Sequence, residues 1–357
     1  MLQPNRYFAP HAAGFGPLVK RLALRDCPGA KVIPEGDNAI LVECAAEPSA
    51  LLSYCRGLFR VLGEAPGGLE SASRKLAKTA RVPGGGAAAM APPRRGSGPL
   101  PAGEQRYHGL RSFVLRSFGP DDPAPIPREA KLELEGLISR ATGARPDSGH
   151  PEREYRLQER ADGRVLFLER LSHSPEVSGR PGELPRTTCR LLAEMTEPRS
   201  DDVFLDPFCG YGGIVLERSL ASAYRFAFAQ DIDPEKVATV KVALSGKLFE
   251  KRRKTIFPKA RDALDPSAFE AGFVTAIATD PPWGLYEGGG TDAAGAQALL
   301  GAFLGAARRI LAPGGRLVLL VSRELDVQAL GGSFAQREAL DVLVSGKKAR
   351  VIRLDHA

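Results

Sequence analysis

Asp202-Val203-Phe204-Leu205-Asp206-Pro207-Phe208-Cys209-Gly210-Tyr211-Gly212-Gly213 is a short apolar strand running into a glycine-rich turn, and Ile214 to Ala221 continues as a helix. Glycines let the backbone take positive φ and let a ligand come close. The helix start adds free N–H groups and a partial positive charge. A second apolar run, Phe226 to Gln230, ends in Asp231-Ile232-Asp233, and a third, Thr255 to Arg261, ends at Asp262-Ala263. Repeated strands that each end in an acid predict an α/β fold with a mostly parallel sheet, its ligands gathered at the carboxyl edge.

The turn is not G-x-G-x-x-G, and an acid, Asp206, stands directly before it. That carboxylate repels a pyrophosphate and attracts a sulfonium or ammonium group. Asp231 follows Asp206 by 25 residues, close to the spacing at which an acid binds ribose hydroxyls in dinucleotide folds. Together these features point to S-adenosylmethionine rather than a nicotinamide cofactor.

The run Phe273 to Ala278 reads as a buried strand, and Asp280-Pro281-Pro282-Trp283 sits at its end. Proline has a fixed φ and no N–H, so ordinary turn donors cannot engage the carbonyls there. A carboxylate and a rigid carbonyl can accept two hydrogen bonds from a planar amino group. Trp283 can offer a face to the attached ring. Alone, such a tetrapeptide also reads as a proline-rich turn capping a strand.

DPFCGYGG, DID, RDA and TDPPWG, in that order, resemble class I S-adenosylmethionine-dependent methyltransferases, in particular the THUMP-domain branch that modifies guanine N2 in RNA. Arg180-Pro181-Gly182-Glu183-Leu184-Pro185 and Leu311-Ala312-Pro313-Gly314-Gly315-Arg316 look like that branch too. The resemblance spans roughly residues 171–357 and implies a Rossmann-like domain with a seven-stranded sheet. It implies a cofactor set of Asp206, Pro207, Cys209, Gly210, Gly212, Asp231, Ile232, Asp262 and Ala263. Asp206 and the glycines would hold the methionine end, Asp231 the ribose and Asp262 the adenine amino group. The catalytic set is Asp280, Pro281, Pro282 and Trp283. Where the family has Gly-Ser-Gly-Thr, this chain has Gly210-Tyr211-Gly212-Gly213. The tight turn survives and the hydroxyls do not.

With 357 residues and 43% apolar content, the chain can bury two cores. No stretch of 18 uninterrupted apolar residues occurs and no charged-then-apolar leader opens it, which leads us to expect a cytoplasmic protein. The five cysteines, at 27, 44, 55, 189 and 209, lack CxxC spacing; this suggests a reducing compartment and no metal site. Cys209 reads as a packing residue rather than a nucleophile. Of the net charge of +7, an excess of six falls in residues 51–100, eight Lys or Arg against two acids. Such a patch suits phosphates or a solvated linker equally. Lys251-Arg252-Arg253-Lys254 ends an expected helix, where cations are favoured anyway.

In the N-terminal half, Tyr7-Phe8-Ala9 and Ala39 to Cys44 read as strands, and Gly16 to Leu24 as a helix. Leu51, Leu52, Cys55, Leu58, Phe59 and Leu62 fall at helical spacing, predicting a helix over Ser49 to Leu62. Glu64 to Glu104, rich in Gly, Ala, Pro and Arg, reads as a flexible insertion. Arg111 to Arg116 alternates as a strand, Ile126 to Thr142 as a helix, and Glu154 to Glu159 and Arg164 to Arg170 form a hairpin turning at Asp162-Gly163. This order resembles a ferredoxin-like region followed by a THUMP domain, which implies binding of structured RNA, typically tRNA. The expected organisation is 1–65 ferredoxin-like, 66–105 basic linker, 106–170 THUMP-like and 171–357 methyltransferase domain.

The reading is an RNA methyltransferase acting on an exocyclic amine, guanine N2 of tRNA first. Its rivals are an rRNA guanine-N2 enzyme, a DNA adenine-N6 or cytosine-N4 methyltransferase, and a catalytically silent RNA-binding protein of the same fold.

Overall fold

The computed structural model describes residues 5–83, 110–173, 180–283 and 293–357, apart from 121, 181, 266, 268, 331 and 333. They form two compact units. The first comprises Met1–Pro10, Ala23–Leu52 and Arg56–His173; the second comprises Ser174–Ala357 together with His11–Leu22 and Ser53–Cys55.

The strands of the first unit are β1 (Asn5–Pro10), β2 (Lys31–Pro34), β3 (Ala39–Cys44), β4 (Gly57–Pro66), β5 (Ser112–Phe118), β6 (Arg145–Pro146), β7 (Arg153–Glu159) and β8 (Arg164–His173). They make one sheet in the order β2-β3-β1-β4-β8-β7-β5-β6. The chain's first helix is α1 (Gly16–Asp26), and two more, α2 (Gly68–Thr79) and α3 (Arg128–Thr142), follow β4 and β5. Leu69 and Leu76 of α2 and Leu134 and Ile138 of α3 meet Phe113, Tyr155 and Phe167 of the sheet in a core cluster. The regions expected as separate, 1–65 and 106–170, thus share a sheet through the antiparallel pair β4–β8.

Two expectations are corrected. Ser49 to Leu62 is not a helix: a 3-10 turn spans Ser49–Ser53 and β4 begins at Gly57. The spacing that mimics a helix joins two elements: Leu51, Leu52 and Cys55 precede β4, and within it register irregularities at Leu58/Phe59 and Val61/Gly63 break strict alternation. Nor is the insertion irregular from Glu64 onward. β4 continues to Pro66, and α2 packs on it with a stripe of two leucines and two small residues, Leu69, Ala72, Ser73 and Leu76. The remainder of that segment, 84–105, lies outside the described residues.

In the second unit, β9 (Val203–Asp206), β10 (Phe226–Asp231), β11 (Ile256–Ala260), β12 (Val274–Thr279), β13 (Leu311–Ser322), β14 (Phe334–Val344) and β15 (Lys347–His356) form a seven-stranded sheet in the order β11-β10-β9-β12-β13-β15-β14. The first five are parallel, and β15 runs antiparallel to both β13 and β14. Helices α4 (Arg186–Met195), α5 (Gly213–Ala221), α6 (Pro234–Ser245), α7 (Ala293–Ile310) and the short α8 (Val327–Leu330) connect and cover them. Continuous apolar runs such as Val203-Phe204-Leu205 and Ala276-Ile277-Ala278 are what a sheet covered on both faces needs. Among the described residues no helix is long and apolar enough to cross a membrane.

The chain leaves β9 toward β10 on one side and returns at β12 on the other. This reversal opens a crevice at the carboxyl ends of the strands. The opposite end is locked by a buried ion cluster. Asp202 accepts hydrogen bonds from the Arg218 guanidinium at 2.9 Å, from Arg316, and from the Arg199 amide at 2.8 Å. Although burial opposes its charge, these partners hold the Asp202 carboxyl below its ordinary value. Removing one member of such a buried set costs about 3–5 kcal/mol.

Candidate active site

A cavity of about 790 Å³ occupies the crevice, walled by the loops after β9, β10, β11 and β12 and by the tip of the β14–β15 hairpin. On the β9 side, α5 begins at Gly212, which has φ 85° and caps the helix without a side chain. A Cβ there would lie 2.8 Å from Val240 Cγ2, so glycine is required both by conformation and by space. Gly213 is constrained too: a Cβ would meet Cys189 Sγ at 2.7 Å. The sulfur of α4 therefore takes the room in which a threonine would stand, which accounts for Gly213 in this chain.

Asp231 binds the two loops together. One carboxylate oxygen accepts from the Gly210 amide at 2.8 Å, and the other from the Asp233 amide at 3.0 Å. A further bond, Cys209 N–H to the Gln230 carbonyl at 2.7 Å, closes the same seam. Ile232 beside it is 74% exposed, an apolar plate at the cavity's mouth. Asp233 also lines the cavity and caps α6, accepting from the Glu235 and Lys236 amides at 2.8 and 3.4 Å. Asp262 is exposed, uses one oxygen to accept the Leu264 amide at 2.9 Å, and lines the wall with Ala263.

Of the residues expected from the sequence, Pro207, Cys209, Gly210, Asp231, Ile232, Asp262, Ala263, Asp280, Pro281, Pro282 and Trp283 all line this cavity. Gly212 shapes the wall from behind. Asp206 does not reach the surface: it is 1% exposed, and its Oδ1 accepts the Thr279 hydroxyl at 2.7 Å. Its Oδ2 is buried with no hydrogen-bond partner among the described residues. Burial first, and the nearby Asp231 charge, push Asp206 up to about 7. Burial likewise drives the Cys189 and Cys209 thiols well up, so neither is a ready thiolate.

Asp280 stands half-buried at the end of β12. Burial, then the Asp206 carboxylate, push it up to about 8. Trp283 is less open than its sequence position implies. It is 5% exposed, and its indole N–H donates to the Leu320 carbonyl of β13 at 3.0 Å. The ring is thus held in one orientation while still lining the cavity.

Arg180 and Tyr211, which the motifs contain but to which no role was given, face each other, the guanidinium 5.0 Å from the ring centroid. Other wall residues lie outside every motif. Leu299 comes from α7. Val344 and Ser345 come from the hairpin tip, where Ser345 and Gly346 both have positive φ, as a two-residue hairpin turn demands.

Residues 176–351 match the family described as UPF0020: RMKL-like, methyltransferase domain. The chain is similar to the tRNA (guanine(10)-N2)-dimethyltransferase of Methanothermobacter thermautotrophicus, 31% identical over 176 residues, which is 49% of each chain. It thus spans about half the length of that curated relative. In fold it is similar to TrmN from Thermus thermophilus, with TM-score 0.75, 23% identity, 99% of this chain and 100% of that one covered. It is also similar to SMU.472, a putative methyltransferase complexed with SAH, at TM-score 0.68 and 12% identity, covering 100% and 99%. The likeness to both structures extends over the N-terminal α/β half as well as the sheet that bears the cavity. The stretch that matches the methyltransferase-domain model, residues 176–351, is the one that builds this cavity.

Proposed function

We propose that this protein transfers a methyl group from S-adenosylmethionine to an exocyclic base amine, guanine N2 of a tRNA. The observation that carries the reading is Asp280: a carboxyl raised to about 8, set beside two prolines and a fixed indole on the wall of a cavity that ends in a glycine turn. The cavity suits the cofactor. Asp231 offers the lone pairs left after its two backbone bonds to ribose hydroxyls, Ile232 and Ala263 offer apolar surface to an adenine ring, and the start of α5 offers amides to a carboxylate. When bound, S-adenosylmethionine supplies an electrophilic methyl on a sulfonium.

Asp280 accepts a hydrogen bond from the amino group and, in its ionised form, offsets the charge the nitrogen gains on attack. With a value near the working pH it can also take up the proton that the methylated nitrogen releases. The Pro281 carbonyl accepts the second N–H and keeps the amine in line. Trp283 presents one edge or face, held by its bond to Leu320. A base in folded RNA reaches this wall only after leaving its stack, at a cost of a few kcal/mol. The tRNA assignment rests on similarity to the archaeal tRNA enzyme, and a cytoplasmic location fits such a substrate.

The test is incubation of the purified protein with methyl-labelled S-adenosylmethionine and unmodified tRNA, followed by nucleoside mass spectrometry. Label in N2-methylguanosine is expected. Label in N6-methyladenosine, or transfer to DNA alone, would assign the amine site to another base. No transfer, with cofactor bound, would favour a silent RNA-binding protein.

A further inference from the structure

One edge of the seven-stranded sheet carries an uncovered aromatic face. α6 packs on the side of β11 that bears Ile256, which is 2% exposed. On the other side Phe226, Phe228, Phe257, Phe269 and Phe273 form a chain of ring contacts, with centroids 4.9 to 6.2 Å apart. Phe228 and Phe269 are partly buried against the core of the sheet, and the described residues of the β11–β12 connection leave the outer rings in water. Phe257 remains 42% exposed and Phe273 37%. Large aromatic side chains in contact and in water mark an interaction site.

The backbone at this edge narrows what can bind. Ala227 N–H donates to the Thr255 carbonyl and Arg261 N–H to the Asp231 carbonyl, each at 2.9 Å. Positions 255, 257, 259 and 261 therefore turn their polar groups toward β10, and 256, 258 and 260 turn theirs outward. The central outward position is Pro258, which has no N–H. A polypeptide adding as a further strand would meet a missing donor at the middle of the ladder. Recognition is left to the side chains, and these are aromatic and cationic.

Lys259 shares the Phe257 face two residues along the strand and is exposed. The Arg225 guanidinium lies 5.5 Å from the Phe226 ring. Residues 247–261 hold seven Lys or Arg against the single acid Glu250. Arg252 is turned inward, donating to the Ser219 carbonyl at 2.7 Å, while Lys251, Arg253 and Lys254 are exposed. Asp262, Asp265 and Glu270 of the β11–β12 connection are exposed acids.

We propose that this patch binds unpaired nucleotides of an RNA, with bases stacking on Phe257 and Phe273 and phosphates meeting Lys251, Arg253, Lys254 and Lys259. Stacking platforms beside a cationic track are what single-stranded nucleic acid requires. The proposal rests on the RNA-methyltransferase reading and adds to it a second contact on the same domain, apart from the amine cavity.

The test uses the full chain and tRNA, with dissociation constants measured by anisotropy across a salt series and binding of S-adenosylhomocysteine as the check on folding. The triple variant K251Q/R253Q/K254Q should lower the slope of log affinity against log salt by about 2, at about 0.7 per single-strand phosphate. Phe257→Ala should weaken RNA binding by about fivefold or more, the size of one lost base stack. S-adenosylhomocysteine affinity should not move in either. Wild-type RNA affinity and slope in both variants would overturn the proposal while leaving the amine-site reading standing. Patch-sensitive self-association in sedimentation, with RNA binding unchanged, would overturn it in favour of a protein contact. A wild-type protein that binds no RNA at low salt would overturn the functional reading, and the proposal with it.

Discussion

Replacing Asp231 with alanine should damage the fold and the cofactor site together, and the two losses can be worked from the same geometry. The carboxylate is 9% exposed and accepts two backbone N–H groups, from Gly210 at 2.8 Å and Asp233 at 3.0 Å. Hydrogen bonds to a charged group contribute about 1.5–3 kcal/mol each. Both amides border the cavity, so water can recover part of that in the variant. We expect a net loss of about 2–4 kcal/mol, or about 5–15 °C in melting temperature for a unit of this size. The glycine turn also loses its tether to β10, so S-adenosylhomocysteine affinity should fall by about tenfold or more in calorimetry. Asp233→Ala is the control. It removes the cap of α6, about 1 kcal/mol, leaves the Gly210 tether in place, and should lower cofactor affinity far less than Asp231→Ala does. If Asp231→Ala melts like wild type, or if Asp233→Ala is the variant that loses the ligand, the assignment of these two acids is wrong.

Gly212→Ala should cost about 2–4 kcal/mol in urea unfolding, from a positive φ together with a Cβ placed 2.8 Å from Val240. Val240→Ala in the same chain should relieve the steric part and leave the conformational part. Asp206 and Asp280 have values of about 7 and about 8, raised above the ordinary carboxylate range. Between about pH 4 and 8 the folded chain therefore holds more protons than the unfolded one, and stability without ligand should fall as pH rises. Thermal melts from pH 5 to 8.5 should show that decline, and Asp280→Asn should flatten it; a rising or level wild-type profile would contradict the buried acid pair.

The parallel half of the sheet was legible because strands covered on both faces must be apolar throughout, and each ended at an acid or a glycine. The β4 strand was not legible. Its partner β8 lies about a hundred residues downstream, and two register irregularities disguise its period. Helix α2 escaped because it opens a stretch rich in Gly, Ala, Pro and Arg, and only Leu69 and Leu76 of its buried stripe carry a strong hydrophobic signal. At the site, the acids and glycines were readable from chemistry and spacing. The direction in which Asp206 points was not, because an acid at a strand end reads the same whether it faces a cavity or the neighbouring strand. Val344 and Ser345 reach the cavity only through antiparallel pairing at the far end of the chain, which local sequence does not encode.

Asp280 is the residue on which the account turns, and single-turnover methyl transfer to tRNA at saturating S-adenosylmethionine tests it most directly. Asp280→Ala should lower the transfer rate by about 10²–10³, the size of losing one pre-placed electrostatic partner of a transition state. Cofactor and RNA dissociation constants, measured on the same preparation, should stay near wild type. Transfer at a near wild-type rate in that variant would contradict the placement of the acceptor amine at Asp280.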